Sequence, residues 1–160
     1  MIRTAVSSDI PALLAIENAS FQHDRISQRG FVYLITYANS LTLIDEQDQQ
    51  VRGYLTLLFR SNSSLSRVYS IATHADFLGQ GVAAKLLRVA EHVALKTCCD
   101  TMRLEIRKDN QASQKLFQLH GYRKFGEYPS YYQDGMDANR LQKSLRHLTR
   151  TIAPSMTGIS

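Results

Sequence analysis

The spacing of apolar positions changes several times along this chain, and each change marks an element. Residues 51–59 (VRGYLTLLF) and 65–73 (LSRVYSIAT) are rich in β-branched, aromatic and aliphatic residues and are bounded by polar turns, so both predict strands. Residues 41–44 predict a strand before them, joined to the first across the polar turn 45–50 as a hairpin. Residues 2–6, 102–106, 122–128 and 136–145 predict further strands. Helical spacing appears elsewhere. Leu13, Leu14, Ile16 and Phe21 give a stripe to a helix that runs to about Ser20, with Ser7, Ser8 and Asp9 as N-cap oxygens and Pro11 in its first turn. Phe31, Leu34, Ile35 and Ala38 give one to a second helix from Ile26. The clearest helix covers 81–96, with Val82, Leu86, Val89, Ala90 and Val93 on one face and the solvated His92 off it. A short helix follows the cap Asp109-Asn110 and ends at Gly121, a good residue for the left-handed position after a helix.

This order predicts an α/β (α+β) domain. Two helices and an antiparallel meander come first. The long helix then forms a crossover that sets strands 65–73 and 102–106 side by side and parallel. The chain of 160 residues is large enough for one domain with a real core, placed at 1–147, with 148–160 as a flexible tail. No apolar run approaches the ~18 residues of a membrane span, and the first residues lack a signal-peptide layout, so the cytoplasm is expected. The adjacent Cys98 and Cys99 read as free thiols, and no cysteine set suggests a metal. The net charge of +5 suits an anionic ligand. Its spread, without a basic and aromatic stripe, argues against a nucleic-acid partner.

The chemistry concentrates where strand 65–73 hands over to the long helix. Gly79, Gln80, Gly81, Val82, Ala83 and Ala84 place small residues at a helix N-terminus, where unpaired backbone N–H groups and the helix dipole favour phosphate. The spacing G-x-G-x-x-A also fits a dinucleotide fingerprint, with Glu105 at about the distance of its ribose-binding acid. The context argues against that reading, because an antiparallel meander precedes the loop and only one short helix and two strands follow. A Walker loop is excluded, since no Gly-Lys-Ser/Thr follows the glycines.

Three segments in order resemble the GCN5-related N-acetyltransferase (GNAT) family. Leu78-Gly79-Gln80-Gly81-Val82-Ala83 resembles its pyrophosphate signature [QR]-x-x-G-x-[GA]. Leu104-Glu105-Ile106-Arg107-Lys108-Asp109-Asn110-Gln111-Ala112 with Leu116-Phe117-Gln118-Leu119-His120-Gly121-Tyr122 is similar to its second cofactor segment. Tyr131-Tyr132-Gln133-Asp134-Gly135-Met136-Asp137-Ala138 is similar to the YYxDGxDA of the branch that acetylates ribosomal-protein alanine N-termini. The resemblance implies a mixed, mostly antiparallel sheet of about seven strands with a parallel pair at the cofactor site and four helices around it.

It also implies acetyl-CoA as acetyl donor, with no metal, and an amine acceptor. By resemblance, Ile71, Ala72 and Thr73 offer backbone groups to the thioester and pantetheine. The loop from Gly79 to Ala84 cradles the pyrophosphate, Asn110 holds the pantetheine arm, and Glu105 is the general base. Leu104 and Ile106 flank Glu105, so its carboxylate faces away from theirs, and partial burial there is expected to raise its pKa. Two positions depart from the pattern. Leu78 replaces a Gln or Arg, and Phe117 stands where the branch has the tyrosine that protonates the leaving thiolate. Tyr131 or Tyr132 is the preferred substitute over Tyr122 and Tyr128.

An α-amine of pKa ~8 is about a tenth free at pH 7, against less than about a thousandth for a lysine at ~10.4, so a modest base suits a peptide N-terminus or small amine better than an internal lysine. The alternative from another class is a non-catalytic acyl-CoA-binding regulatory module, motivated by Phe117 and Leu78.

Overall fold

A computed structural model describes residues 1–148. Residues 149–160, which hold most of the expected tail, lie outside the described part. The elements are β1 (Ile2–Thr4), α1 (Ile10–Ser20), α2 (Gln28–Thr36), β2 (Ser40–Gln47), β3 (Gln50–Phe59), β4 (Leu65–Thr73), α3 (Val82–Lys96), β5 (Thr101–Arg107), α4 (Gln111–Leu119), β6 (Arg123–Tyr128) and β7 (Ala138–Ser144). They form one seven-stranded sheet in the order β1-β2-β3-β4-β5-β7-β6. Among the described residues only β4 and β5 pair in parallel, as expected of a crossover through α3.

The period of two in β2 and β3 divides the core between two faces. Leu43, Leu55 and Leu57 pack with Val82, Leu86, Leu87 and Ala90 of α3. Their neighbours Ile44 and Tyr54 pack on the other face with Leu13 and Ile16 of α1 and Phe31 and Leu34 of α2. Gly53 lets α3 lie close to β3, since a Cβ there would sit 2.8 Å from Val82 Cγ1 and 2.9 Å from the Ala72 carbonyl.

Some expectations shift. The turn expected over 45–50 is shorter. The strands run on to Gln47 and from Gln50, and Asp48 and Gln49 take φ of 52° and 64°. Asp9 does not cap α1 through its side chain. It accepts two bonds of 2.9 Å from Arg3 and one of 2.7 Å from the Val6 amide. Ser27, not Ile26, begins α2, its Oγ accepting the Gly30 amide at 3.0 Å. The buried face of α3 is Val82, Leu86, Leu87, Ala90, Glu91 and Ala94, with Val89 and Val93 half-buried at its margin. Glu91 is tolerated inside because Lys143 Nζ reaches it at 2.9 Å and the Tyr122 hydroxyl donates to it at 3.1 Å.

Two features open the sheet. The pairing of β4 with β5 stops after Arg67↔Arg103, while β4 stays paired to β3 as far as Thr73. From Val68 onward β4 therefore has one free backbone edge. The register of β3 with β4 also slips between Thr56↔Ser70 and Leu57↔Val68, which leaves Tyr69 as an extra, bulged residue at the point of divergence. A cleft lies in the gap.

Candidate active site

The cleft, of about 500 Å³, collects residues from five parts of the chain: Glu17 and the link after α1, Arg67 to Ile71 of β4, Leu104 to Arg107 of β5, α4 with its cap Asn110, and the loop before β7. Glu105, Asn110, Phe117, Tyr131, Tyr132 and Ile71, separated by up to 61 positions, all line it. Ala72, Thr73 and the glycine loop are not among its lining residues. They continue from the end of β4 into the start of α3.

That handover is built as the sequence suggests. Gly79 and Gly81 have φ of 75° and 78°, a region that favours glycine, and a Cβ at either would meet nothing within 4 Å. Backbone conformation, not packing, therefore selects glycine. Gly81 is the N-cap of α3 and the Lys85 amide is the first to bond back to its carbonyl, at 3.0 Å. The amides of Val82, Ala83 and Ala84 precede that first intrahelical bond and have no acceptor among the described residues. No acidic side chain occupies the first turn. This loop fits a phosphate. Leu78, at the first signature position, is 66% exposed and adds no polar group.

Asn110 caps α4, its Oδ1 accepting the Ser113 amide at 3.1 Å, which leaves its own N–H groups for a ligand. Phe117 is buried, and its ring meets Tyr122 edge-on at 5.2 Å. Tyr122 is not in the cleft lining, and its hydroxyl is committed to Glu91.

Glu105 does face away from the buried Leu104 and Ile106, and its side chain is 10% exposed. It is not a solitary carboxylate, however. Arg67 Nε donates to its Oε2 at 2.8 Å, and Arg67 Nη2 donates to the Tyr131 hydroxyl at 2.9 Å. Burial works against the charge of Arg67, but Glu105 and Tyr131 more than restore it, and its pKa lies above the usual arginine value. Arg140, the register partner of Glu105 on β7, is held over Phe125 and Tyr128 at 4.6 and 4.3 Å.

The loop residues resembling YYxDGxDA divide into builders and exposed chemistry. Asp134 takes two bonds from Arg107, at 3.0 and 2.7 Å, which hold its carboxyl down at about 2. Gly135 has φ of 87°, and Asp137 accepts the Ser130 amide at 2.9 Å. Tyr131 stacks on Tyr128 and meets Tyr132 edge-on at 5.0 Å. Tyr132 lies under the Arg107 guanidinium at 5.0 Å. Burial, with help from Tyr131 and Glu105, pushes its pKa up to about 12, so it keeps its proton at neutral pH.

With the glycine cradle, the splayed strands and a carboxylate between them in view, the comparison with known proteins is decisive. Residues 10–122 match the model of the acetyltransferase (GNAT) family. The chain belongs to that family. An uncharacterised N-acetyltransferase of Methanocaldococcus jannaschii is 27% identical over 139 residues, 86% of this chain and 87% of that one. A Bacillus subtilis protein provisionally named as a ribosomal protein bS18-alanine N-acetyltransferase is 25% identical over 138 residues, 86% of this chain and 90% of that one. The crystal structure of the ribosomal-protein-S18-alanine N-acetyltransferase of Escherichia coli superposes with a TM-score of 0.79 at 22% identity, over 91% of this chain and 93% of that one. This GNAT chain is thus an enzyme of the acyltransferase class. No helix among the described residues is long and apolar enough to cross a membrane, and no group of metal-ligating side chains occurs among them.

Sequence reasoning missed three side chains of the cleft. Arg67 was visible as a charge inside the apolar run LSRVYSIAT. Glu17 was visible as an acid four residues after Leu13, on the buried stripe of α1. Its Oε1 accepts the Ile26 amide at 2.9 Å and its Oε2 accepts the Tyr54 hydroxyl, which also meets Ser70 Oγ at 2.8 Å. Burial raises the pKa of Glu17, against the pull of these donors. Asp24, the third, accepts the Gln133 amide at 3.4 Å and so joins the link after α1 to the tyrosine loop.

Proposed function

We propose that this GNAT enzyme moves the acetyl group of acetyl-CoA to a primary amine, the α-amine of a peptide N-terminus or of a small molecule, in the cytosol. The observation that carries the reading is Glu105, a largely buried carboxylate in the gap between β4 and β5, beside the edge of β4 that β5 leaves unpaired.

The free edge of β4 from Val68 to Thr73 would pair with the pantetheine arm, and Asn110 would donate to it. The free amides of Val82, Ala83 and Ala84 would hold the pyrophosphate. Glu105 takes a proton from the acceptor ammonium, directly or through a water. The freed nitrogen then attacks the thioester carbonyl carbon. A C–N bond forms, the C–S bond breaks with its electron pair leaving on sulfur, and the nitrogen gives its second proton to water, leaving a neutral amide. Tyr132 is the better placed acid for that thiolate. Its hydroxyl carries its proton and has no hydrogen-bond partner among the described residues, whereas the Tyr131 hydroxyl is engaged by Arg67. A thiol of pKa ~8.5 leaves tolerably even without full proton transfer, which is compatible with Phe117.

The test is thiol release from acetyl-CoA with N-terminal peptides, amino-acid amides, polyamines and lysine-containing peptides blocked at the N-terminus. Release that is fastest with α-amines supports the reading. Acetyl-CoA binding without release to any amine would instead support the non-catalytic acyl-CoA-binding module that Phe117 and Leu78 suggest.

A further inference from the structure

The Arg67 guanidinium is the cation nearest the proposed base, and it stands at a special place. Arg67 is the last residue of β4 paired to β5, so its side chain projects at the vertex where the strands part. The side chain is 39% exposed and lines the cleft. Of a guanidinium's five N–H donors, one at Nε serves Glu105 and one at Nη2 serves Tyr131, and Nη1 has no acceptor among the described residues. An acceptor amine bonded to Glu105 therefore has unused N–H donors beside it.

We propose that Arg67 is a specificity-determining residue, which binds the carbonyl or carboxylate oxygen two carbons away from the acceptor nitrogen and so selects α-amino-acyl acceptors over alkylamines and lysine side chains. The inference rests on the amine-acetylation reading above.

The geometry follows from covalent dimensions. In an α-amino-acyl group the nitrogen and the carbonyl oxygen lie about 3 Å apart when they point the same way. The one Nε–H of Arg67 is spent on Glu105 Oε2 at 2.8 Å, so the acceptor oxygen is taken by an unused Nη N–H of the same guanidinium. An amine on the carboxylate and an oxygen on the guanidinium thus form a closed ring of alternating charge. An alkylamine or a lysine chain presents a methylene at that position. The guanidinium then loses water without gaining an acceptor, and a site built around a hydrogen bond discriminates strongly against a substrate that lacks it. Free amino acids and peptide N-termini share the recognised group, and the experiment separates them.

The experiment measures kcat/KM for alaninamide, free alanine, an Ala-initiated peptide and isopropylamine, in the native enzyme and in Arg67→Gln and Arg67→Lys. The preference of one enzyme for alaninamide over isopropylamine includes the amines' intrinsic reactivity. The change in that preference between enzymes does not. The expected result is a preference reduced about tenfold or more in Arg67→Gln and partly kept in Arg67→Lys. A higher rate with alanine than with alaninamide points to the carboxylate form, and the reverse to peptide N-termini. Arg67→Gln lowering both rates by the same factor, with the preference intact, overturns the inference and leaves Arg67 as support for Glu105 alone. Release of thiol with polyamines or blocked lysine peptides but with none of these α-amino-acyl acceptors overturns the inference alone, and release with no amine of either panel removes the acetyl-transfer reading and the inference with it.

Discussion

Arg67 and Glu105 meet at 2.8 Å across the point where two parallel strands stop pairing. The carboxylate is therefore held in one orientation at the vertex of the cleft. Replacing Glu105 by Gln keeps the shape and removes the proposed base. The expected loss in kcat/KM is on the order of 10²–10⁴, with the acid limb of the pH–rate profile abolished and acetyl-CoA affinity nearly unchanged. Steady-state kinetics against pH, with calorimetric binding of acetyl-CoA as control, decides it. An unchanged rate and profile would assign the base elsewhere.

The general acid is expected in the loop before β7. Tyr132→Phe should lower kcat about tenfold or more, and Tyr131→Phe should cost less, because its hydroxyl already serves Arg67. Phe117→Tyr should leave kcat within a few-fold and lower the melting temperature, since a hydroxyl added to a side chain only 1% exposed must find a partner. A large gain in kcat for Phe117→Tyr, with no loss for Tyr132→Phe, would return the acid to α4.

Glu17 makes stability depend on pH in a direction opposite to most carboxylates. Burial raises its pKa in the folded state above the ordinary 4.5. The folded protein then binds the proton more tightly than the unfolded chain, so this group's contribution worsens as pH rises from 4.5 through the folded value. Arg25 and Tyr54 face the carboxylate. Glu17→Gln removes the buried charge and keeps an acceptor for the Ile26 amide. Its melting temperature should exceed the parent's by a few degrees at pH 8, with the difference shrinking toward pH 4.5. A mutant less stable than the parent at every pH would show that the carboxylate's hydrogen bonds outweigh its burial.

Leu78 offers a gain-of-function test of the glycine loop. It is 66% exposed, so a long polar side chain is accommodated there without repacking. Leu78→Arg should tighten acetyl-CoA binding about two- to tenfold at low salt, with the gain fading as ionic strength rises. Isothermal titration at two salt concentrations measures it. Equal affinity at both would mean that the pyrophosphate does not reach this residue.

Local pattern settled much of this protein. The boundaries of β4 match the run LSRVYSIAT, and α3 begins one residue after the glycine that starts it in the sequence. The left-handed conformations of Gly79, Gly81, Gly121 and Gly135 coincide with turns and helix ends that glycine marks by itself. Periodicity and turn chemistry act over a few residues, so a single sequence contains them in full.

Where β4 and β5 part is a different kind of fact. It depends on a bulge at Tyr69 and on a pairing that ends at Arg67↔Arg103, and both arise from packing between distant segments. That divergence turned the predicted face of Glu105 into a cleft, brought Arg67 to it across 38 positions, and closed it with Tyr131 and Tyr132. Packing between distant segments also committed Tyr122 to Glu91 and set Glu17 against Tyr54. Alternation along a strand says which way a side chain points. Only the arrangement of the strands says what it then meets.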